Sequence, residues 1–322
     1  MSDEISPRNK LNDLTNKEFL RETKSFWLSR AEQLPTPVAE TLEQFVDWIL
    51  QSREPDEAEQ ILEQLDRSFV LSKTPPRSKL KSLHPATFSE LDVERLIRFF
   101  SKQGECVLDP FLGSGSTLIA CANCGRNGVG VELSQDWAQI ARRRIDEEAT
   151  GRLLSDYDVD LQVIAGDAKD ALDGLQENSV DFVVTSPPYW SILTKKAGMK
   201  AKAERTDKGL ATKYSDDERD LGNIQSYERF LDELAAVLCK CGRVLKPKRY
   251  MAVIVSDFRH GPKFYLLHSD LAGRIEEAGL PLKGVTILAQ DNKNLYPFGV
   301  PHAFVSNIHH QYILAFQKPA ED

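Results

Sequence analysis

Long apolar runs are missing from this 322-residue chain. No stretch reaches the roughly 18 residues that a membrane-crossing helix needs, so no span is expected. The beginning, Met1-Ser2-Asp3-Glu4, has neither the basic start nor the apolar core of a secretory leader. A cytoplasmic protein is expected. Cysteine is sparse, five in all, too few for a disulfide framework at this length. Cys121-Ala122-Asn123-Cys124 and Cys239-Lys240-Cys241 have the spacing of thiolate ligands. Both pairs fall in stretches patterned as helix with no histidine close by, and buried free cysteine is common. No metal is expected there. Internal repeats are absent as well.

An excess of positive charge is also missing, since the formal net charge is −8. Its distribution matters more than its sum. Residues 1 to 67 hold fifteen acids against eight bases, so the rest of the chain is almost balanced. Within that rest, basic residues gather in three places. Lys73, Arg77, Lys79 and Lys81 form one group. Lys195, Lys196, Lys200, Lys202, Arg205, Lys208 and Lys213 form the second. Lys240, Arg243, Lys246, Lys248 and Arg249 form the third, which reads as a solvated face.

What is present is an alternation of strands and helices. Residues 1–72 are acidic, and Val38, Leu42, Phe45, Val46, Ile49 and Leu50 repeat as a helical apolar face. A second helix is predicted over 57–70, making 1–72 a helical extension. Thr74-Pro75-Pro76-Arg77-Ser78 marks a linker over 73–82. A domain is then expected over 83–322. It opens with His84-Pro85-Ala86-Thr87-Phe88 and a helix bearing Leu91, Leu96, Ile97, Phe99 and Phe100. Strands are predicted at 106–108, 129–132, 163–167, 180–185, 251–256, 285–290 and 312–317. Helices follow the glycine loop, Ser134, Ser226 and Tyr265. Such alternation gives an α/β fold, an open and mostly parallel sheet with helices on both faces. The polar stretch 191–222 is longer than a compact α/β unit needs.

The chain is organised around Asp109-Pro110-Phe111-Leu112-Gly113-Ser114-Gly115-Ser116-Thr117, which joins the first of these strands to a helix. Glycine allows close backbone approach and positive φ. The helix start offers free N–H groups and a positive dipole end. Together they suit an anionic or carboxylate-bearing cofactor. The third glycine of the dinucleotide fingerprint is absent, and an ordinary βα turn could use the same residues. Val129-Gly130-Val131-Glu132 ends in an acid placed to hold a ribose diol. Ser186-Pro187-Pro188-Tyr189 closes the fourth strand. A nicotinamide cofactor also uses a glycine loop and an acid, but it leaves that tetrapeptide unexplained. A metal held by the rim carboxylates is a further use of the same groups.

With the tetrapeptide in place, the chain resembles the S-adenosylmethionine-dependent DNA amino-methyltransferases of the N4-cytosine/N6-adenine family. Asp109 to Thr117 match the cofactor loop, and Ser186 to Tyr189 match the catalytic tetrapeptide. The resemblance covers roughly 83–319. It implies the Rossmann-like methyltransferase fold, with a seven-stranded sheet whose last strand, about 311–318, is antiparallel. It implies S-adenosylmethionine as cofactor. Asp109, Pro110, Phe111, Gly113, Gly115, Ser116 and Thr117 would hold it, with Thr87 and Phe88 at the methionine end. Asp109 and the loop amides would meet the methionine ammonium, Glu132 the ribose and Asp167 the adenine. It implies Ser186, Pro187, Pro188 and Tyr189 as catalytic. The target amine is a weak nucleophile because its lone pair is delocalised into the ring. Ser186 Oγ and the Pro187 carbonyl would accept from it, and Tyr189 would stack on a base that has left the duplex. Prolines fix φ and hold that carbonyl rigid.

Trp190 would extend the stacking wall. Lys195, Lys196, Lys200, Lys202 and Arg205 would meet phosphates. Serine in place of aspartate at the head of the tetrapeptide leans towards cytosine N4, with adenine N6 and an RNA base amine as alternatives. The cofactor half precedes the catalytic half, which departs from many of these enzymes. Recognition would fall on 191–222, 290–310 or the extension. DNA is the expected partner, a restriction partner is compatible, and oligomeric state is open. A reading from another class is an inactive interaction protein. Intact Asp109, Glu132, Asp167 and Ser186 argue against it.

Overall fold

A computed structural model describes residues 89–149, 159–190, 217–290 and 305–320, two strands nearer the start, and parts of 5–19. The expected helix over 38–50, that over 57–70 except Val70, His84, Thr87, Phe88, the basic stretch 191–216 and residues 291–304 lie outside the described residues.

The two early strands are β1 (Phe26–Ala31) and β2 (Val70–Thr74). Helix α1 (Glu90–Phe100) leads into β3 (Cys106–Asp109), α2 (Ser116–Cys124), β4 (Asn127–Glu132) and α3 (Gln135–Arg144). A wider π-turn, Ile145–Ala149, extends α3. Then come β5 (Leu161–Ala165), α4 (Ala168–Asp173), β6 (Val180–Thr185) and α5 (Tyr227–Val244). The last elements are β7 (Leu245–Val255), β8 (Phe258–His260), β9 (Lys263–Tyr265), α6 (Leu267–Glu277), β10 (Leu282–Gln290) and β11 (His310–Gln317).

The main sheet runs β2-β1-β10-β11-β7-β6-β3-β4-β5. β3 pairs in parallel with β4 on one side and β6 on the other, and β6 pairs in parallel with β7. Only β11 runs antiparallel, between β7 and β10. The seven strands from β5 to β10 are the sheet that the resemblance implies. The crossover from β5 back to β6 makes the gap between β3 and β6 the switch point, where carboxyl-end loops diverge and leave a crevice.

To the helices expected in the extension, which but for Val70 lie outside the described residues, the structure adds two strands. β1 pairs in parallel with β10, and β2 with β1. β10 would otherwise be the sheet edge, and an edge strand presents unpaired N–H and C=O groups. Two strands from the acidic segment satisfy them. β2 also runs across residue 72, where the extension was expected to end.

Parallel strands buried on both faces read as nearly continuous apolar runs. β7 shows the division of labour. Met251, Val253 and Val255 face the core under α4, α5 and α6, while Ala252 and Ile254 face the core under α1. Serine caps at Ser134 and Ser226 accept from Trp137 N and Arg229 N, fixing where α3 and α5 begin. Among the described residues no helix is long and apolar enough to cross a membrane.

The third basic group is structural. Lys240 pairs with Asp173, Lys246 with Asp181, and Arg249 with Glu105 and Asp181. Glu105 precedes β3 and Asp181 lies early in β6, so this set binds the amino ends of the strands, opposite the crevice.

Candidate active site

Three strand ends bring the acids together. Asp109 ends β3, Glu132 ends β4, and Asp167 follows β5. β6 ends at Thr185, immediately before Ser186. All four strands are parallel, so these residues share one rim.

Asp109 is the hub of that rim. It has no exposed surface. Its Oδ1 accepts from Phe111 N at 3.0 Å and from Thr185 Oγ1 at 2.6 Å, and its Oδ2 accepts from Thr117 Oγ1. Burial pushes its carboxyl up from the ordinary value, against the pull of these three bonds. The sequence reading sent Asp109 to the methionine ammonium. In the structure its oxygens instead tie the start of α2 to the strand that carries the tetrapeptide. Its place is therefore behind the loop.

The glycine loop takes the positive φ that its residues allow. Gly113 has φ 57° and Gly115 has φ 90°. A Cβ on Gly115 would also come within 3.1 Å of Ala141 Cβ on α3. The Gly113 amide donates to Glu132 Oε2 at 2.8 Å, and Leu112 N donates to Val131 O at 2.8 Å. These bonds stitch the loop to β4. The amides of Ser116, Thr117 and Leu118 open α2 and have no intrahelical acceptor. Free amides at a helix start could meet an anionic ligand.

Glu132 is half-buried. Its second oxygen accepts from Ser134 N at 2.8 Å. Burial pushes its carboxyl up to about 7, with the Ser134 and Gly113 amides opposing and Asp109 and Asp220 adding repulsion. Each carboxylate oxygen keeps a lone pair for a diol. Asp167 caps α4, accepting from Lys169 N at 2.8 Å through Oδ1. Its Oδ2 has no partner among the described residues.

A buried charge network clamps the loop from behind, and sequence reasoning missed it. Arg144 is 1% exposed. It donates to Ser114 O at 2.7 Å, to Glu90 Oε1 at 3.0 Å, and to both oxygens of Glu148. Glu90 in turn accepts from Ser116 Oγ at 2.9 Å. The network spans α1, α2 and the end of α3. A buried charge persists only when paired and bonded.

At the tetrapeptide, Pro187 is buried, whereas Ser186, Pro188 and Tyr189 are half-buried. The Tyr189 hydroxyl accepts from Gln311 Nε2 of β11 at 3.0 Å. Burial pushes the Tyr189 phenol up from the ordinary value, with Gln311, Ser186 and the Ser256 backbone opposing. The ring is therefore held by its hydroxyl end, beside Ser186. Gln311 carried no signal in the sequence, since only the antiparallel pairing of β11 with β7 brings it here.

Trp190 corrects the sequence reading. It was expected to extend a stacking wall, but it is 4% exposed. Its ring packs against Tyr227, Phe258, His260 and Tyr265, and its indole N–H donates to Ile224 O at 2.9 Å. A large ring with one donor is most stable where the ring is buried and the N–H finds a carbonyl. Asp220, next to the crevice, was also missed. It is buried and caps the short 3₁₀ turn Leu221–Asn223 through Gly222 N.

Cys121, Cys124 and Cys241 are buried, while Cys106 and Cys239 are half-buried. Burial pushes the Cys121 thiol up, and that of Cys124 up to about 11. Among the described residues no three His, Cys, Asp or Glu side chains converge as a metal site.

Residues 5–143 match the family model described as DNA methylase. The span contains the glycine loop and Glu132 and ends before the tetrapeptide. Type II methyltransferase M.HpaI of Haemophilus parainfluenzae is 35% identical over 74 residues, 23% of this chain and 24% of that protein. M.ScaI of Streptomyces caespitosus is 41% identical over 69 residues, 21% of this chain and 23% of its own. The chain thus spans about a quarter of the length of the curated relatives it matches. A DNA modification methylase, as it is described, from Thermus thermophilus was solved with S-adenosyl-L-methionine. It is 27% identical over 49% of this chain and 55% of its own, with a TM-score of 0.33. A protein described as a SAM-dependent methyltransferase from Methanosarcina mazei is 14% identical over 70% of this chain and 98% of its own, with a TM-score of 0.44. Over residues 5–143 the chain is thus similar to the DNA methylase family, and in shorter segments to type II methyltransferases.

Proposed function

We propose that this protein transfers a methyl group from S-adenosylmethionine to the exocyclic amine of a base in DNA, with cytosine N4 the favoured target. Residues 83–322 form the methyltransferase unit in this reading. The observation that carries it is one rim bearing the glycine loop, Glu132, Asp167 and Ser186-Pro187-Pro188-Tyr189, on four adjacent parallel strands. The residues present suit the cofactor. Glu132 has lone pairs left for a ribose diol, Asp167 has an oxygen without a partner among the described residues, and the amides of α2 face an anionic end. When bound, S-adenosylmethionine supplies an electrophilic methyl group on a sulfonium.

The chain's own groups do the rest. Ser186 Oγ and the Pro187 carbonyl accept from the two hydrogens of the target amine. Pulling those hydrogens towards a tetrahedral arrangement frees the nitrogen lone pair for attack. Tyr189, pinned by Gln311, offers its ring face to the extruded base. Asp109 keeps cofactor loop and tetrapeptide in register through Thr117 and Thr185. Serine at the head of the tetrapeptide supports cytosine N4 over adenine N6. The proposal is tested by supplying cofactor with a tritiated methyl group and measuring transfer to genomic DNA and to total RNA. Label in DNA that Ser186→Ala abolishes supports it. Label confined to RNA, or none in either, overturns it.

A further inference from the structure

The connection from β7 to α6 does more than turn the chain around. It builds an antiparallel hairpin, β8 with β9, pairing Phe258 with Tyr265, Arg259 with Phe264 and His260 with Lys263. Gly261 and Pro262 make the loop, and Gly261 takes φ 58° there. β7 runs parallel to β6, with Thr185 opposite Val253, so the hairpin rises from the rim that carries the tetrapeptide.

Its base and its tip differ in character. The base is packed. Phe258 is buried and stacks on Tyr265 at 5.3 Å. Both rings contact Trp190, the residue after Tyr189. The tip is exposed and cationic, since Arg259, Gly261, Pro262 and Lys263 all face solvent. Arg259 lies over the Phe264 ring at 5.5 Å and Lys263 over the Tyr265 ring at 4.5 Å. A ring face orients a cation without neutralising it. Phe258 to Tyr265 contains no acid. Among the described residues neither Arg259 nor Lys263 forms an ion pair. The basic residues Lys240, Lys246 and Arg249 at the opposite end of the sheet are paired with acids.

We propose that the β8–β9 hairpin is a duplex-DNA contact, with Arg259 and Lys263 meeting backbone phosphates beside the base that enters the crevice. The proposal rests on the DNA reading above. A packed base beside the residue next to Tyr189, carrying two cations with no ion pair among the described residues, suits a phosphate backbone held at fixed distance from the chemistry. Phosphate contacts of this kind position a protein on the duplex and carry no sequence information.

The test is binding of the full chain to a fluorescent duplex oligonucleotide of mixed sequence across a series of salt concentrations. Wild type is compared with Arg259→Gln/Lys263→Gln and with the charge-preserving Arg259→Lys/Lys263→Arg. The neutralised variant should lose roughly 0.9 per contact, about 1.8 in all, from the slope of log affinity against log salt. The charge-preserving variant should keep the wild-type slope. Calorimetric titration with S-adenosylmethionine should give the same affinity in all three proteins. An unchanged slope in the neutralised variant overturns the hairpin's role and leaves the methyltransferase reading standing. Binding lost for single-stranded RNA but not for the duplex also overturns it. A wild type that binds no DNA at any salt overturns the DNA reading, and this proposal with it.

Discussion

Under the proposed function, Glu132 gives the cofactor site a pH dependence that can be worked out in advance. Burial raises its carboxyl from 4.5 to about 7. Because the folded group titrates above the unfolded one, its protonated form stabilises the fold fully below about pH 4.5. That contribution is lost as pH rises through about 7. Binding runs the other way. A ribose diol donates to a carboxylate, and the protonated group has one acceptor fewer. With a folded value near 7, about a tenth of the protein carries the carboxylate at pH 6 and about nine-tenths at pH 8. Apparent affinity scales with the competent fraction, so S-adenosylmethionine should bind about ninefold more tightly at pH 8 than at pH 6. The cofactor's own ammonium titrates near the top of this range, as α-amino groups do. Glu132→Gln therefore supplies the baseline. It keeps the size of the side chain and removes the titration. Calorimetry from pH 5.5 to 8.5, values chosen to bracket about 7, should show a wild-type rise that the variant lacks. Identical profiles in the two proteins would refute the reasoning.

Three other outcomes follow from the same geometry. Ser186→Ala should slow single-turnover transfer by at least tenfold while cofactor affinity stays within about twofold, because the lost acceptor acts mainly in the transition state. Tyr189→Phe should cost more than a ring-only role allows. It removes the anchor held by Gln311, so it and Gln311→Leu should each lower turnover, and the double variant should be no worse than either, as rates measured in a double-mutant cycle would show. Arg144→Ala should destabilise the fold by about 3–5 kcal/mol in urea unfolding, since Glu90 and Glu148 would lose their buried partner.

Local pattern carried much of this fold. The run from Val180 to Thr185 is apolar enough to be a strand in any context, and Ser134 and Ser226 announce their helices by their own side chains. The glycine loop was legible for the same reason, since positive φ at Gly113 and Gly115 is a property of those residues. What was hidden depends on partners far along the chain. Whether the segments at 26–31 and 70–74 become strands is decided by the open edge of β10, more than 200 residues away. Trp190 looks alike in sequence whether it faces a base or a core. Only the arrival of Tyr227, Phe258 and Tyr265 settles its direction. Arg144 and Glu90 are 54 positions apart, and nothing near either announces the pair. The β8–β9 hairpin had a signal that went unused, the Gly261-Pro262 turn between short aromatic and basic runs.

In the proposed function this rim methylates an exocyclic amine of DNA and needs Ser186 to do so. The most direct measurement is nucleoside analysis of DNA from cells making the wild-type protein or Ser186→Ala. N4-methylcytosine is expected in the first DNA and none in the second. Unmodified DNA from wild-type cells, or equal modification with Ser186→Ala, would contradict it.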